Sequence, residues 1–288
     1  MDWGTTNRRA YSIDGAGRVI ATERDDQGLL AVSKGGFANS ATAIRALFGD
    51  LPMLCAGMVG SVKGWAEVPY QRCPVDLESL AANLLWVEPG RTALVPGVCT
   101  IADGVGDIMR GEEVQLLGAV AAGLAPADAL LCQPGTHCKW ARMTDSRLAG
   151  FRTGMTGEIF ALLRKHSLLA DFLDGDVRDG DAFRDGVALA QKGALLGPLF
   201  AERASALLGI RAREEIAAHV SGLLIGSDVR EQALEPGSCV HILADPALGC
   251  LYAAAIDQLG GRSVPIDSHA AFVAGITHIW RMIRADAS

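Results

Sequence analysis

Short apolar strands alternate with amphipathic helices along this chain, and that alternation restricts the fold more than any other feature. The runs LPMLCAGM (51–58), TALVPGVC (92–99) and DALLCQPG (128–135) read as buried strands. Between them SATAIRALFGD, DLESLAANLLWV and DIMRGEEVQLLGAVAAG read as helices. The last carries apolar residues at helical spacing from Ile108 and Met109 through Val114, Leu116 and Leu117. HCKWARMTDSRLAGFRTG supplies a hairpin, after which helices dominate: TGEIFALLRKHSLLADFL, GPLFAERASALLGI and AREEIAAHVSGLLIGSDVREQAL. The segments SCVHILAD, PALGCLYAAAIDQLGG, SVPID and SHAAFVAGITHIWRMI close the chain as strand, helix, strand and helix. The pattern predicts two α/β lobes, one over residues 1–152 and one over 153–288, with the boundary near Gly150 to Thr156.

Composition removes several function classes. Net charge is −7 and no basic block or basic–aromatic alternation occurs, which argues against a nucleic-acid partner. Apolar runs such as LGAVAAGLA fall short of a bilayer span, so no membrane association is expected. Only Met1 precedes Asp2, and no signal peptide is expected. The seven cysteines are scattered, without C-x-x-C, and the six histidines lack metal-ligand spacing. Reduced thiols in a cytoplasm fit this usage better than disulfides or zinc.

Two turns could bind phosphate. The chain opens DWGTTNRRAY, a strand and turn bearing Asp2, Gly4, Thr5, Thr6 and Asn7. Backbone N–H groups and threonine hydroxyls in such a turn can face an anion, and an adjacent acid can hold a hydrated Mg²⁺. A similar turn recurs in CQPGTHCKW (132–140), at Gly135, Thr136 and His137. Each taken alone reads equally as an ordinary hairpin turn; together they suggest the two jaws of a phosphate clamp. Between them, Asp107 reads as an acid where a loop becomes a helix, able to cap that helix or to take a proton from a substrate hydroxyl. Asp103 is its rival, better read as a turn residue, and Arg110, Glu112 and Glu113 read by default as a solvated face. The glycine-rich AGMVGSVKGWAEVPY (56–70) presents Ser61, Lys63, Trp65 and Tyr70, either to a small polar ligand or as a plain connection with Trp65 in the core. Late in the chain, SGLLIGSDV offers small residues for close helix packing, and ILADPALGCLY places Pro246 at a first helical position. No G-x-x-x-x-G-K-[ST] is present, and no G-x-G-x-x-G follows the first strand.

The segments DWGTTNRRAY, GMVGSVKGWAEVPYQRCP, DIMRGEEVQLLGA, PGTHCKW, FRTGMTGEIFALL, SGLLIGSDV and DPALGCLY, in this order, resemble the bacterial 2-keto-3-deoxygalactonate kinases of the actin–hexokinase–Hsp70 superfamily. The resemblance spans almost the whole chain. It implies two ribonuclease-H-like (actin-like ATPase) lobes around a central nucleotide and substrate cleft, with ATP and Mg²⁺ as cofactors. It also implies transfer of phosphate to the 6-hydroxyl of 2-dehydro-3-deoxy-D-galactonate, a small-molecule sugar acid of galactonate catabolism. By the same resemblance, Asp2, Gly4, Thr5, Thr6 and Asn7 form the first phosphate loop, with Asp2 reaching the metal through water. Gly135, Thr136 and His137 form the second. Asp107 matches the acid that starts the interdomain helix and is the expected base. Ser61, Trp65 and Arg110 are the expected sugar-acid residues, and Gly226, Asp245 and Pro246 are expected near adenosine. A cytoplasmic enzyme is implied, with a homodimer as its expected assembly.

The family has several apolar residues before its first acid, where this chain has Met1. A shortened first strand is therefore expected, with Asp2 prone to fray. A form extended upstream is expected to be more stable and more active. The readings weighed against a kinase of this acid are a kinase of a related 2-keto-3-deoxy sugar acid, a non-catalytic sugar-acid sensor on a kinase fold, and a filament-forming or chaperone ATPase.

Overall fold

The structure is a computed structural model that describes residues 1–286. Its chain divides into two compact units: unit 1 comprises residues 1–128, 142–151 and 268–288, and unit 2 comprises residues 129–141 and 152–267. The single cut expected near 150–156 therefore becomes a crossing pattern. The Gly135–His137 turn belongs to unit 2, and the C-terminal helix belongs to unit 1.

Unit 1 begins with β1 (Asp2–Trp3), β2 (Arg8–Ile13) and β3 (Val19–Asp25), followed by α1 (Phe37–Phe48) and β4 (Met53–Gly57). Then come β5 (Gln71–Arg72), α2 (Leu77–Ala82), β6 (Leu85–Glu88), β7 (Thr92–Leu94), β8 (Val98–Ala102), β9 (Val105–Met109) and α3 (Glu112–Ala121). The main sheet has the order β3-β2-β1-β4-β7-β6. Strand β1 is antiparallel to β2 and parallel to β4, and β4 is parallel to β7. Trp3, Phe37, Cys55, Val59 and Leu94 build the core on this sheet, with Trp3 fully buried and edge-on to Phe37.

Unit 2 repeats the plan. It contains β10 (Ala129–Gln133), the first part of β11 (Cys138–Thr144) and the last part of β12 (Arg147–Gly154), whose residues between 142 and 151 fall in unit 1, then α4 (Thr156–His166), α5 (Asp181–Ala190), α6 (Leu196–Leu207), α7 (Arg213–Arg230), β13 (Cys239–Leu243), α8 (Pro246–Gln258) and β14 (Arg262–Ile266); α9 (Ser268–Asp286) returns to unit 1. Its sheet order is β12-β11-β10-β13-β14, with β10, β13 and β14 mutually parallel. In both sheets the first four strands lie in the order third, second, first and fourth, and a strand parallel to the fourth, β7 or β14, comes next. The expected pair of ribonuclease-H-like lobes is thus present as one topology used twice. Asp145 and Ser146 both have positive φ, the geometry a two-residue hairpin needs between β11 and β12. Among the described residues no helix is long and apolar enough to cross a membrane, and all seven cysteines are free.

The local readings depart from the structure in several segments: TALVPGVC divides between β7 and β8, and DIMRGEEVQLLGAVAAG begins at the end of β9. DLESLAANLLWV splits into α2 and β6, and the acidic stretch 174–187 contains the start of α5. Helix α5 lies against α7 without intervening side chains, because a Cβ at Gly222 would collide with the Phe183 carbonyl and one at Gly186 with the His219 carbonyl. That is the close packing expected of SGLLIGSDV.

The first strand is short, as expected, and its start is buried and hydrogen-bonded on both sides of Met1. Met1 is buried, its ammonium donates to the Leu54 carbonyl at 2.6 Å, and its carbonyl accepts from Ala56 N at 2.9 Å. Burial lowers the pKa of that ammonium. Strand β1 spans two residues where β2 spans six and β4 five. Beside it lies a cavity of about 650 Å³ lined by Ile13, Ile44, Phe48, Leu54, Ile276 and Trp280, among others. Four or five β-branched residues added ahead of Met1 are expected to fill this space and raise Tm by several degrees, at ~2 kcal/mol for each large side chain buried. Thermal melting of both forms checks this; an unchanged Tm means the cavity does not seat a strand.

Candidate active site

Parallel α/β sheets present ligands at the carboxyl ends of their strands, where the chain turns into loops. In unit 1 those ends carry Gly4–Asn7 after β1 and Met58–Trp65 after β4. In unit 2 they carry Pro134–His137 after β10 and Ala244–Asp245 after β13. The two phosphate-loop candidates are therefore equivalent in topology, since each joins the first strand of its sheet to the second.

The first loop is pinned from below. Leu29 N donates to Gly4 O at 2.9 Å, Leu30 N to Thr5 O at 3.1 Å and Gly28 N to Thr6 O at 3.3 Å. With those carbonyls occupied, Thr5, Thr6 and Asn7 stand exposed. Asp2 sits one residue inside β1, between Arg9 of β2 and Ala56 of β4. Burial pushes its carboxyl up to about 6; the Glu112 charge adds to the shift, while the Met1 ammonium and Arg9 oppose it.

Glu112 reaches Asp2 because three stretches of bare backbone stack. Gly57 ends β4 at φ +101°, and a Cβ there would lie 2.6 Å from Trp3 O. Gly111, at φ +110°, approaches so closely that its Cβ would stand 3.0 Å from the Gly57 Cα. Only glycine meets both demands. The first turn of α3 is thereby laid across the ends of β1 and β4. Its two acids differ sharply. Glu112 is half-buried and accepts from Arg110 N at 3.1 Å. Glu113 is fully buried, accepts from Gly111 N at 2.6 Å, and its Oε1 has no partner. Burial, aided by the Glu112 charge, pushes the Glu113 carboxyl up to about 8.

These positions correct two expectations. Asp107 does not start a helix: it lies within β9 opposite Thr100, and its carboxylate accepts from Ile108 N at 2.8 Å. The apolar spacing that suggested a helix from Ile108 onward spans a strand end and a glycine break. Asp103 is the turn residue expected, at φ +52°. Arg110 and Glu113 are not a solvated face; both are buried. The acids of R-G-E-E directly before an apolar run were the available signal for a helix first turn.

Arg110 lies over the Tyr70 ring at 4.3 Å and donates from Nη2 to Val68 O at 2.8 Å. Among the described residues, its buried Nε and Nη1 have no hydrogen-bond partner. Trp65 is half-buried and stacks on Phe37, with ring centroids 6.5 Å apart, at the edge of the core. The Ser61 hydroxyl donates to Met58 O at 2.7 Å. All three belong to unit 1, Ser61 and Trp65 on the loop that follows β4.

In unit 2, Thr136 and His137 are exposed and Gly135 half-exposed. The first turn of α4 supports them: Glu158 N donates to Thr136 O at 2.9 Å, and His137 Nε2 pairs with Glu158 at 2.7 Å. A Cβ at Gly157 would collide with Gly135 O, so the helix start and the loop are in direct backbone contact. Asp245 and Pro246 are exposed at the start of α8, where Asp245 caps the helix by accepting from Ala247 N at 3.2 Å. Gly226, expected near adenosine, is buried inside α7 against Val187 and Ala190 of α5, where its missing side chain allows the two helices to pack closely.

Comparison with known proteins follows this geometry. Residues 2–279 match the family model for 2-keto-3-deoxy-galactonokinase. The 2-dehydro-3-deoxygalactonokinase of Escherichia coli is 34% identical over 284 residues, covering 97% of this chain and 96% of that protein. A relative from Rhizobium meliloti assigned the same activity is 34% identical over 295 residues, covering 98% of this chain and 96% of its own. A crystal structure from Sinorhizobium meliloti, assigned as a 2-dehydro-3-deoxygalactonokinase, superposes with a TM-score of 0.91 at 33% identity, covering 98% of this chain and 97% of that one.

Proposed function

The chain belongs to the 2-keto-3-deoxy-galactonokinase family, and from that premise we propose that it transfers the γ-phosphoryl group of ATP to the 6-hydroxyl of 2-dehydro-3-deoxy-D-galactonate. The observation that carries this reading is the backbone stack of Trp3, Gly57 and Gly111, which lays the first turn of α3 with Glu112 across the ends of β1 and β4, beside the exposed Thr5 and Thr6.

Each residue then has a physical task. Thr5, Thr6 and Asn7, in the turn that Gly4 closes by donating to Asn7 O, and Gly135, Thr136 and His137 offer N–H and hydroxyl donors to the phosphates. Asp245 and Pro246 open α8 toward the adenosine. Glu112 takes the role expected of Asp107 and accepts the proton of the attacking hydroxyl. Arg110, a buried cation with two unpartnered nitrogens, suits the carboxylate of the sugar acid. Ser61 and Trp65 shape the wall beside it. The donor set also fits Mg²⁺. Asp2, whose carboxyl feels the Glu112 charge, would hold the ion through water, and two acids are too few for an all-protein cage, so phosphate and water would supply the rest. When bound, that ion neutralises developing phosphate charge. The protein's own share is positioning, which accounts for the rigid backbone stack beneath the acids.

We place the enzyme in a cytoplasm on the strength of its seven free thiols, and propose a homodimer through the exposed apolar residues Leu196, Phe200 and Leu207 of α6. The test of function is ATP-dependent turnover across a panel of 2-keto-3-deoxy sugar acids. The galacto epimer is expected to give the highest kcat/KM; no phosphorylated product from any of them would leave a non-catalytic sensor instead.

The second loop has its own test. The nearest atom to a Cβ at Gly135 is His137 O, 3.8 Å away, so a side chain fits the protein there and obstructs only what approaches from outside. Gly135→Val and Thr136→Val are expected to weaken Mg-ATP binding ~10-fold or more, for lost backbone approach and a lost hydroxyl respectively. Calorimetric affinities equal to wild type would remove this turn from the phosphate site.

A further inference from the structure

We propose that Asp228 is a positioning residue that holds the Pro134–His137 loop in place through Thr156. Asp228 lies on α7 with 6% of its surface exposed. Its Oδ1 accepts from Trp140 Nε1 at 2.9 Å, and its Oδ2 accepts from Thr156 Oγ1 and Tyr252 OH, each at 2.8 Å. Among the described residues no cation pairs with it. Burying a carboxylate without a cation is costly, and a neutral side chain would pack this core at lower expense. What the charge supplies is direction, because three charge-assisted bonds fix three donors around one point.

Two of those donors flank the loop. Trp140 lies on β11, the strand that leaves it, and Thr156 is the first residue of α4, the helix on which it rests. The turn into α4 is drawn against the same carboxylate, since a Cβ at Gly154 would stand 2.8 Å from Asp228 Oδ1. One step further, Gly157 touches Gly135 and Glu158 N binds Thr136 O at 2.9 Å. The path from Asp228 to the loop backbone therefore runs through Thr156 and one turn of helix. An amide at 228 accepts from Trp140 but must donate toward Thr156 and Tyr252, turning both hydroxyls around.

This assignment rests on reading Gly135–His137 as an ATP-phosphate loop, and the test separates the two. Asp228→Asn and Thr156→Val are each expected to raise the KM and Kd for Mg-ATP ~10-fold, with kcat, sugar-acid KM and Tm little changed. Thr156→Ser restores wild-type values, and the double variant is no worse than the worse single one. Wild-type ATP affinity in both single variants would overturn the role of Asp228. So would a fall in kcat and both affinities that merely follows a lower Tm. Gly135→Val serves as the reference. If it weakens ATP binding while the other two do not, only Asp228 loses its role; if it too has no effect, the loop reading fails and takes this assignment with it.

Discussion

Replacing Glu112 by Gln lowers kcat by ~10²–10⁴-fold while Mg-ATP affinity stays within about threefold of wild type. The amide keeps the shape of the side chain and its contact with Arg110 N, but it cannot accept a proton from the sugar hydroxyl. Asp107→Asn, by contrast, keeps kcat within about threefold, because Asp107 lies in β9 away from the first turn of α3. Steady-state kinetics paired with ATP titration check both arms. Near-normal turnover in Glu112→Gln would sink its assignment as base, and a collapse in Asp107→Asn would return the role to that residue.

Removing the titration of Glu113 alters stability in a pH window that its burial defines. Burial first, and the Glu112 charge second, raise this carboxyl from an ordinary 4.5 to about 8. Between those values the folded protein keeps a proton that the unfolded chain releases, so each unit of pH costs about 1.4 kcal/mol of stability. The contribution is complete below about 4.5, falls as pH rises, and is gone above about 8, a total on the order of 5 kcal/mol. Glu113→Gln preserves the acceptor for Gly111 N but does not titrate. It is expected to be more stable than wild type at pH 8 and about equal at pH 5. Urea unfolding of both proteins across this range measures the difference. Parallel curves would mean that Glu113 is ionised in the folded state.

Much of this protein was legible from local pattern. Apolar runs ending in Gly-Thr turns marked β1 and β10 and the loops after them, and Asp245–Pro246 marked the start of α8. Such features depend on neighbours a few residues away, which periodicity and turn chemistry report directly. Glu112, the proposed base, was less accessible. From Ile108 to Leu117 a strand end and a helix start share one apolar rhythm, and the break between them is the positive φ of Gly111, which composition does not reveal.

The remainder depended on partners distant in sequence. The strand order that sets β1 beside β4 brings Asp2 to Ala56 and, through Gly57 and Gly111, to Glu112. The same order, repeated in unit 2, makes Pro134–His137 the counterpart of Gly4–Asn7 and returns α9 to unit 1. Glu113 and Asp228 look like ordinary surface acids in a linear reading, because only packing decides whether water reaches a carboxylate. The sequence by itself determined which segments are strands, turns and helices, since those are local energies. Only the tertiary structure decided which acids meet and which are kept from water, since both are set by contacts between residues far apart in the chain.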